Sequence, residues 1–320
     1  MGRAKRGRRR TRRVRAKPLA KSELQNQDRH WSRHAARYDD LFVDPYDSAV
    51  ESPLRNALEA IPDASNKIVA DLGCGTGPLL PYLAERFSRV IALDFAPGML
   101  ERARERLNAL TRSGEGEPPG EPQHNPARTD FGELSRAEPR PPGMTQAPLG
   151  SETVRRVTFL ERPMHQLDDL AGQIDVAVAV NSLIMPDVRL IDRTLQSIRA
   201  SLRPGGQFLG VVPSIDTIYY HLMLLLDQSI DQGLETKDAK RLAGLHAERR
   251  YYDFAFGEFH FEGLRQKFWQ PFELEYRLRK AGFTSPTLSK VLYPGDESLT
   301  GSEALVGFSR SWDWFFLVRA

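Results

Sequence analysis

The sequence predicts an α/β fold organised around a parallel sheet, and three observations carry that reading. Short, nearly continuous apolar runs of strand length recur, first at Ile68–Leu72 and again at Val90–Asp94. Segments with helical spacing of apolar residues separate them. The first run also ends directly in a glycine-rich turn, Gly73-Cys74-Gly75-Thr76-Gly77, with a helix-like segment behind it. Strand, glycine turn, helix, strand, helix is the rhythm of strands buried on both faces and joined by helical crossovers. With 320 residues, 40% of them hydrophobic and 27% charged, the chain has enough material for a sizeable core.

The elements follow in order. Residues 24–60 read as helical, with Trp31, Ala35, Tyr38 and Leu41 near one helical spacing and Val50, Leu54, Leu58 and Ile61 near another. After the first strand and its turn, a helix is expected from Pro78 to Arg86, proline being tolerated in a first turn. Val90–Asp94 and a helix over Pro97–Leu110 come next. Residues 114–150 interrupt the pattern: 37 residues include 8 Pro and 6 Gly, with no Val or Ile. That composition cannot bury a core, so it reads as a disordered insertion. The α/β pattern then resumes with a third strand over Val154–Leu160, a fourth over Ile174–Val180 and a helix over Val188–Leu202. Arg203-Pro204-Gly205-Gly206 stops that helix before a fifth strand, Gln207–Val212. Residues 215–250 look helical and amphipathic, and Tyr251–Trp269 looks aromatic-rich and irregular. Pro271–Lys280 is a helix stopped by Gly282, and the last strands fall near Thr287–Tyr293 and Trp312–Val318.

Charge is distributed unevenly. Residues 1–22 hold 11 Lys/Arg and no acid, leaving 34 bases against 42 acids in the remainder, a net charge of −8. The result is a disordered basic N-terminal arm on an acidic body, suited to contact with nucleic acid or another polyanion. The arm lacks the apolar stretch of a secretory signal, so a cytoplasmic location is expected, although an Arg-rich, acid-free start is also that of a mitochondrial presequence. No apolar run reaches the roughly 20 residues of a membrane-spanning helix. A single cysteine, Cys74, excludes an internal disulfide framework and a cysteine-based zinc site.

The chemistry concentrates around the first two strands. Glycines at alternate positions after a buried strand let the backbone turn tightly and approach a ligand closely. The helix N-terminus behind them offers free N–H groups to an anionic group. Asp94 closes the second strand, where a carboxylate can accept both hydroxyls of a ribose. Helix capping before Pro97 is its structural alternative. A dinucleotide fingerprint fits poorly, because its third glycine would fall on Pro78.

The string Val69-Ala70-Asp71-Leu72-Gly73-Cys74-Gly75-Thr76-Gly77 resembles motif I of the class I S-adenosylmethionine (SAM) dependent methyltransferases. Four further segments resemble the same family in the same order. Trp31–Asp39 is similar to its helix preceding motif I, and Leu93–Leu100 to its second motif. Asp175–Leu183 looks like its fourth strand with the loop after it, and Ser201–Gly206 like its Leu-Lys-Pro-Gly-Gly turn. The resemblance covers Trp31 to Ala320 apart from the insertion. It implies a Rossmann-like, doubly wound sheet of about seven strands, the last antiparallel, with residues 23–320 as the methyltransferase domain and 215–269 as a helical and aromatic substrate lid. It implies SAM as cofactor, S-adenosylhomocysteine (SAH) as product and no metal. Asp71 and the backbone of Gly73, Cys74, Gly75 and Gly77 would face the methionine half, and Asp94 the ribose. Phe95 and Met99 would flank the adenine, Asn181, Ser182 and Leu183 the sulfonium, and Tyr38 would close over it. Where the family often has an acidic residue facing the adenine amine, this chain has Pro163, so the Met164 backbone would take over that contact.

Methyl transfer by in-line displacement requires alignment and exclusion of water, and for some acceptors a general base. His30, His34, His221, His246, His260 and Tyr38 are the candidate bases, with His260, His34 and Tyr38 foremost. The loop Asn181-Ser182-Leu183-Ile184 lacks the Asn/Asp-Pro-Pro-aromatic signature of nucleic-acid base amino-methylases, and Cys74 is misplaced for cytosine-C5 chemistry. The aromatics Phe254, Phe256, Phe259, Phe261, Phe268 and Trp269 suit a largely apolar small-molecule acceptor, or simply a hydrophobic core. The readings to be separated are a small-molecule methyltransferase, a methyltransferase of RNA or a nucleic-acid-associated protein tethered by the arm, and a non-catalytic SAM-binding protein.

Overall fold

A computed structural model describes residues 21–37, 45, 50–112, 151–248, 252–261, 264–293 and 310–320. Most of the basic arm, Tyr38 and the 114–150 insertion lie outside them. Helix α1 (Lys21–His34) runs into a 3-10 turn, and α2 (Pro53–Glu59) is capped by the Ser52 side chain. Then come β1 (Ile68–Leu72), α3 (Leu80–Arg86), β2 (Arg89–Asp94) and α4 (Pro97–Arg112). Beyond the insertion the order is α5 (Ser151–Arg155), β3 (Val157–Glu161), β4 (Ile174–Val180), α6 (Val188–Ser201) and β5 (Leu202–Val212).

The strands form a seven-stranded sheet of order β3-β2-β1-β4-β5-β10-β9, where β9 is Thr284–Leu292 and β10 is Trp312–Arg319. The first five pair in parallel, and β10 runs antiparallel to both β5 and β9. This is the Rossmann-like, doubly wound arrangement, with the chain's last strand reversed. Two apolar layers cover its faces. One gathers Leu54, Leu58, Leu83, Phe87 and Leu100; the other gathers Leu170, Ile191, Leu195, Ile198, Trp269 and Phe283. Burial on both faces is why these strands read as unbroken apolar runs.

Three local expectations change. Val154 and Arg155 belong to the short helix α5 rather than to the third strand, which starts at Val157 in register with Val90. Gly233, at φ 90°, divides the helical segment into α7 (Ile215–Asp231) and α8 (Thr236–Glu248). The aromatic stretch is ordered as a small antiparallel sheet of β6 (Tyr252–Asp253), β7 (Glu258–Phe261) and β8 (Leu264–Lys267), followed by α9 (Pro271–Lys280). That sheet is fastened to the loop after β4. The Lys267 N–H donates to the Ile184 carbonyl at 2.7 Å, and Trp269 Nε1 donates to the Leu183 carbonyl at 2.8 Å. Lys267, almost wholly buried, pairs with Glu273 at 2.6 Å, and Arg277 links Glu273 to Asp192 on α6. Lys267 and Trp269 therefore brace the loop after β4.

Candidate functional site

Where β1, β2 and β4 end, the structure opens a cavity of about 790 Å³, counting its mouth. It lies at the sheet position where open α/β folds bind ligands. Gly73, Gly75, Asp94, Phe95, Met99, Met164, Asn181 and Ser182 line it, as the sequence motifs suggest.

The glycines serve distinct purposes. All three have positive φ: 74° at Gly73, 53° at Gly75 and 75° at Gly77. A Cβ on Gly73 would lie 2.4 Å from Ser182 Cβ, so this glycine lets the first turn touch the loop after β4. At Gly77 a Cβ would meet Ala103 and Leu80 at 2.9 Å, so that glycine allows α4 to pack closely. Only at Gly75 would a Cβ meet nothing within 4 Å, and Gly75 is the one that leaves room for a ligand. The turn is tied to β2 by Gly73 N–H and Cys74 N–H, which donate to the Leu93 carbonyl at 2.7 and 2.9 Å.

Asp94 is buried, and its carboxylate accepts backbone bonds. Gly75 N–H donates to Oδ2 at 3.0 Å and Ala96 N–H to Oδ1 at 2.9 Å, with the Phe95 N–H adding to them. Burial raises its pKa to about 6, against the lowering effect of those backbone bonds. Asp94 therefore fixes the backbone just ahead of α4 and turns a carboxylate that is ionised at neutral pH toward the cavity. Asp71 is buried beneath the turn and does not line the cavity.

Cys74 is buried, and burial together with the nearby charges of Asp71 and Asp94 holds its thiol well above the usual range. It is a packing residue in the protonated state. Leu183 is also fully buried, in the core layer beneath the site rather than on the cavity wall. His34 donates to the His30 carbonyl through Nδ1–H at 2.8 Å and stacks on the His30 ring. His260 is exposed on β7. Neither lines the cavity. The lid aromatics do not line it either: Trp269 is buried, Phe259 stacks on Phe268 at 5.3 Å, and Phe256 is 68% exposed. The side chain of Phe261 lies outside the described residues. Trp269, Phe259 and Phe268 serve in packing.

Other wall residues were not legible in the motifs. Gln27 and Trp31 of α1 cover the mouth. Ser32 Oγ sets that helix in place, accepting from Gly98 N–H at 3.3 Å and donating to Asp28 at 3.2 Å. Arg162 lines the wall while bonded to both carboxylate oxygens of Asp169. His165 has its pKa lowered by burial and by Arg193, so it is neutral at pH 7. Leu190 and Thr194 come from α6. The proline at the position where an acidic residue was expected, Pro163, does line the cavity, beside Met164.

Two buried polar atoms on this wall, Asn181 Oδ1 and Thr194 Oγ1, have no hydrogen-bond partner within the protein. Such atoms cost about 1–3 kcal/mol each unless something satisfies them. The open space at Gly75 and the Asp94 carboxylate, with the apolar residues around them, form a ligand cradle of apolar walls and a few placed polar groups. That donor and acceptor set fits a nucleoside carrying an amino-acid tail. Among the described residues, no cluster of His, Cys, Asp or Glu could hold a metal ion, and no helix is long and apolar enough to cross a membrane.

Comparison with known proteins agrees with this geometry. A family model described as a methyltransferase domain matches residues 46–286. The malonyl-[acyl-carrier protein] O-methyltransferase of Acetivibrio thermocellus is 38% identical over 84 residues, 25% of this chain and 28% of that protein. A trans-aconitate 2-methyltransferase of Afipia carboxidovorans is 39% identical over 61 residues, 18% and 24% of the two chains. The similarity thus spans about a quarter of the length of these curated relatives. Among solved structures, the Burkholderia thailandensis 1,6-didemethyltoxoflavin-N1-methyltransferase, with bound 1,6-didemethyltoxoflavin and SAH, superimposes with a TM-score of 0.51 at 19% identity. That match covers 96% of this chain and 92% of the other, and it speaks to the fold. With a family model spanning most of its length, a reversed last strand and the glycine turn facing Asp94, this chain belongs to the class I SAM-dependent methyltransferases.

Proposed function

We propose that the protein transfers a methyl group from SAM to a small-molecule acceptor by in-line displacement. The observation that carries this reading is the cavity itself. It joins the Gly75 opening and the Asp94 carboxylate to an apolar wall of Met164, Ile184, Met185 and Leu190. When bound, SAM supplies a methyl on a sulfonium, an electrophile that needs alignment more than activation. The chain's residues do the rest. Asp94 accepts the ribose hydroxyls, the glycine turn lies along the methionine half, and Phe95 and Met99 flank the adenine. Gln27 and Trp31 exclude water from the mouth.

Among the described residues that line the wall, neutral His165 is the one imidazole, and for an acceptor that must lose a proton it would be the base. The names of the curated relatives, which refer to a malonyl group and to aconitate, favour a small acceptor. The 11 bases and no acid of residues 1–22 support a second role, attachment to a polyanion such as RNA. The test is transfer of labelled methyl from SAM into a host extract separated into small molecules, protein and nucleic acid, with the full chain and residues 23–320 run together. Label in small molecules from both chains is expected. Label confined to nucleic acid or protein, and lost with the arm, would replace the small-molecule reading.

A further inference from the structure

The hairpin of α7 and α8 carries an apolar face that nothing covers among the described residues. The two helices pack on each other along small or apolar rows: Ile218, Leu222, Leu225 and Ser229 on α7, Ala239 and Ala243 on α8. Beside that row on α7 stand Tyr219, Met223, Leu226 and Ile230. Tyr219, Met223 and Ile230 are 42%, 47% and 38% exposed. Their steps of 4, 3 and 4 residues are those of the a and d positions of a coiled coil, the pattern of a helix that meets another helix.

The charges around this seam are of both signs. Asp227, Asp231, Glu235 and Asp238 are exposed on the hairpin, and so are Lys237, Lys240 and Arg241. A lipid or nucleic-acid surface attracts basic side chains alone, whereas a surface that pairs with itself needs both signs. With about 3.6 residues per turn, Asp227 borders the seam on the side away from α8, and Lys240 borders it from α8. Asp227 is four residues before the last of α7 and Lys240 four after the first of α8, so the two stand level in the antiparallel hairpin. A twofold axis parallel to α7 exchanges the two sides of the seam at constant height. It lays seam on seam and brings Asp227 of one protomer to the partner's Lys240. An antiparallel pairing of the same seams would set the acidic side against the acidic side and lysine against lysine.

We propose that the exposed stripe of α7 is the interface of a symmetric dimer of this chain, with the two α7 helices parallel and Asp227 paired to the partner's Lys240. Such a dimer goes beyond methyl transfer and is independent of what the cavity binds.

Sedimentation equilibrium of the full chain at micromolar concentration is the test, and a mass twice that of the 36.2 kDa chain is expected. Met223→Glu, Asp227→Lys and Lys240→Glu are each expected to weaken the dimer at least tenfold. The double variant Asp227→Lys/Lys240→Glu exchanges the signs across the axis and is expected to restore it to within threefold of the native chain. All three positions are exposed, so thermal melts should match the native one. A monomeric native chain, or a dimer that Met223→Glu leaves unchanged, overturns the inference. So does a double variant no better than the single ones, which would remove the parallel pairing. A monomeric native chain that floats with phosphatidylglycerol vesicles, and fails to do so with Met223→Glu, would give the stripe to a membrane instead.

Discussion

Replacing Asp94 by Asn tests the centre of the site with almost no change of shape. In the native protein Oδ2 holds the Gly75 N–H at 3.0 Å and Oδ1 the Ala96 N–H at 2.9 Å, and the carboxylate faces the cavity, where both oxygens accept from the ribose in the proposed complex. Asparagine supplies only one oxygen. Its NH₂ must face either the Gly75 or the Ala96 N–H, donor against donor, and can no longer accept from the hydroxyl on that side. One charge-assisted hydrogen bond to the ribose, about 1.5–3 kcal/mol, is then lost, and the other weakens to a neutral bond worth roughly 1 kcal/mol less. The combined loss of about 3 kcal/mol is roughly a hundredfold in dissociation constant. Calorimetric titration of SAH at pH 7.5 reads it directly, with a cooperative thermal melt showing that the variant is folded. A folded Asp94→Asn protein that binds SAH within threefold of the native chain would refute the ribose assignment.

The other predictions concern the same walls. Gly73→Ala is expected to destabilise the fold by more than ~2 kcal/mol, because its Cβ would sit 2.4 Å from Ser182 Cβ at a φ of 74°. Gly75→Ala meets no atom within 4 Å, so it should cost about 1 kcal/mol of backbone strain and show chiefly as weaker SAH binding. Urea unfolding of both variants separates these outcomes. Thr194→Val removes a fully buried hydroxyl without a partner, so it should stabilise the ligand-free protein by about 1 kcal/mol and reduce SAH affinity; a variant that loses stability in the melt would show that the hydroxyl has a partner. Asp94 and Asp313 have pKa values raised from 3.8 to about 6. The folded state therefore binds their protons more tightly than the unfolded chain. Each contributes stability that is full below pH 4 and lost as the pH rises toward 6, on the order of 3 kcal/mol. SAH affinity should run the opposite way, falling as the pH drops through 6, because ribose hydroxyls require the ionised Asp94. Unfolding and titration at pH 7, 6 and 5, compared between the native chain and Asp94→Asn, check both slopes.

The sequence by itself determined the α/β class, the strands β1, β2 and β4 almost to the residue, and the pairing of the glycine turn with Asp94. These features have local causes. A strand buried on both faces must be apolar throughout, and a chain that turns through three positive φ angles in five residues calls for glycine at those positions. The tertiary structure alone decided which residues complete the cavity. Leu183, adjacent to the wall residue Ser182, turns into the core, whereas Thr194 and His165 come from a separate helix and loop to face the ligand space. Helical spacing marks Leu190, Ile191 and Leu195 as an apolar stripe without saying that Thr194 beside them borders a cavity. The aromatic stretch was equally ambiguous, since aromatic side chains fill a core or a pocket with the same chemistry. Here strand pairing of β6, β7 and β8 leaves Phe256 exposed and buries Trp269 against the loop after β4. Asp313 carried no signal at all: 99 residues from Ser214 in the chain, it accepts that residue's N–H only because β10 runs antiparallel beside β5.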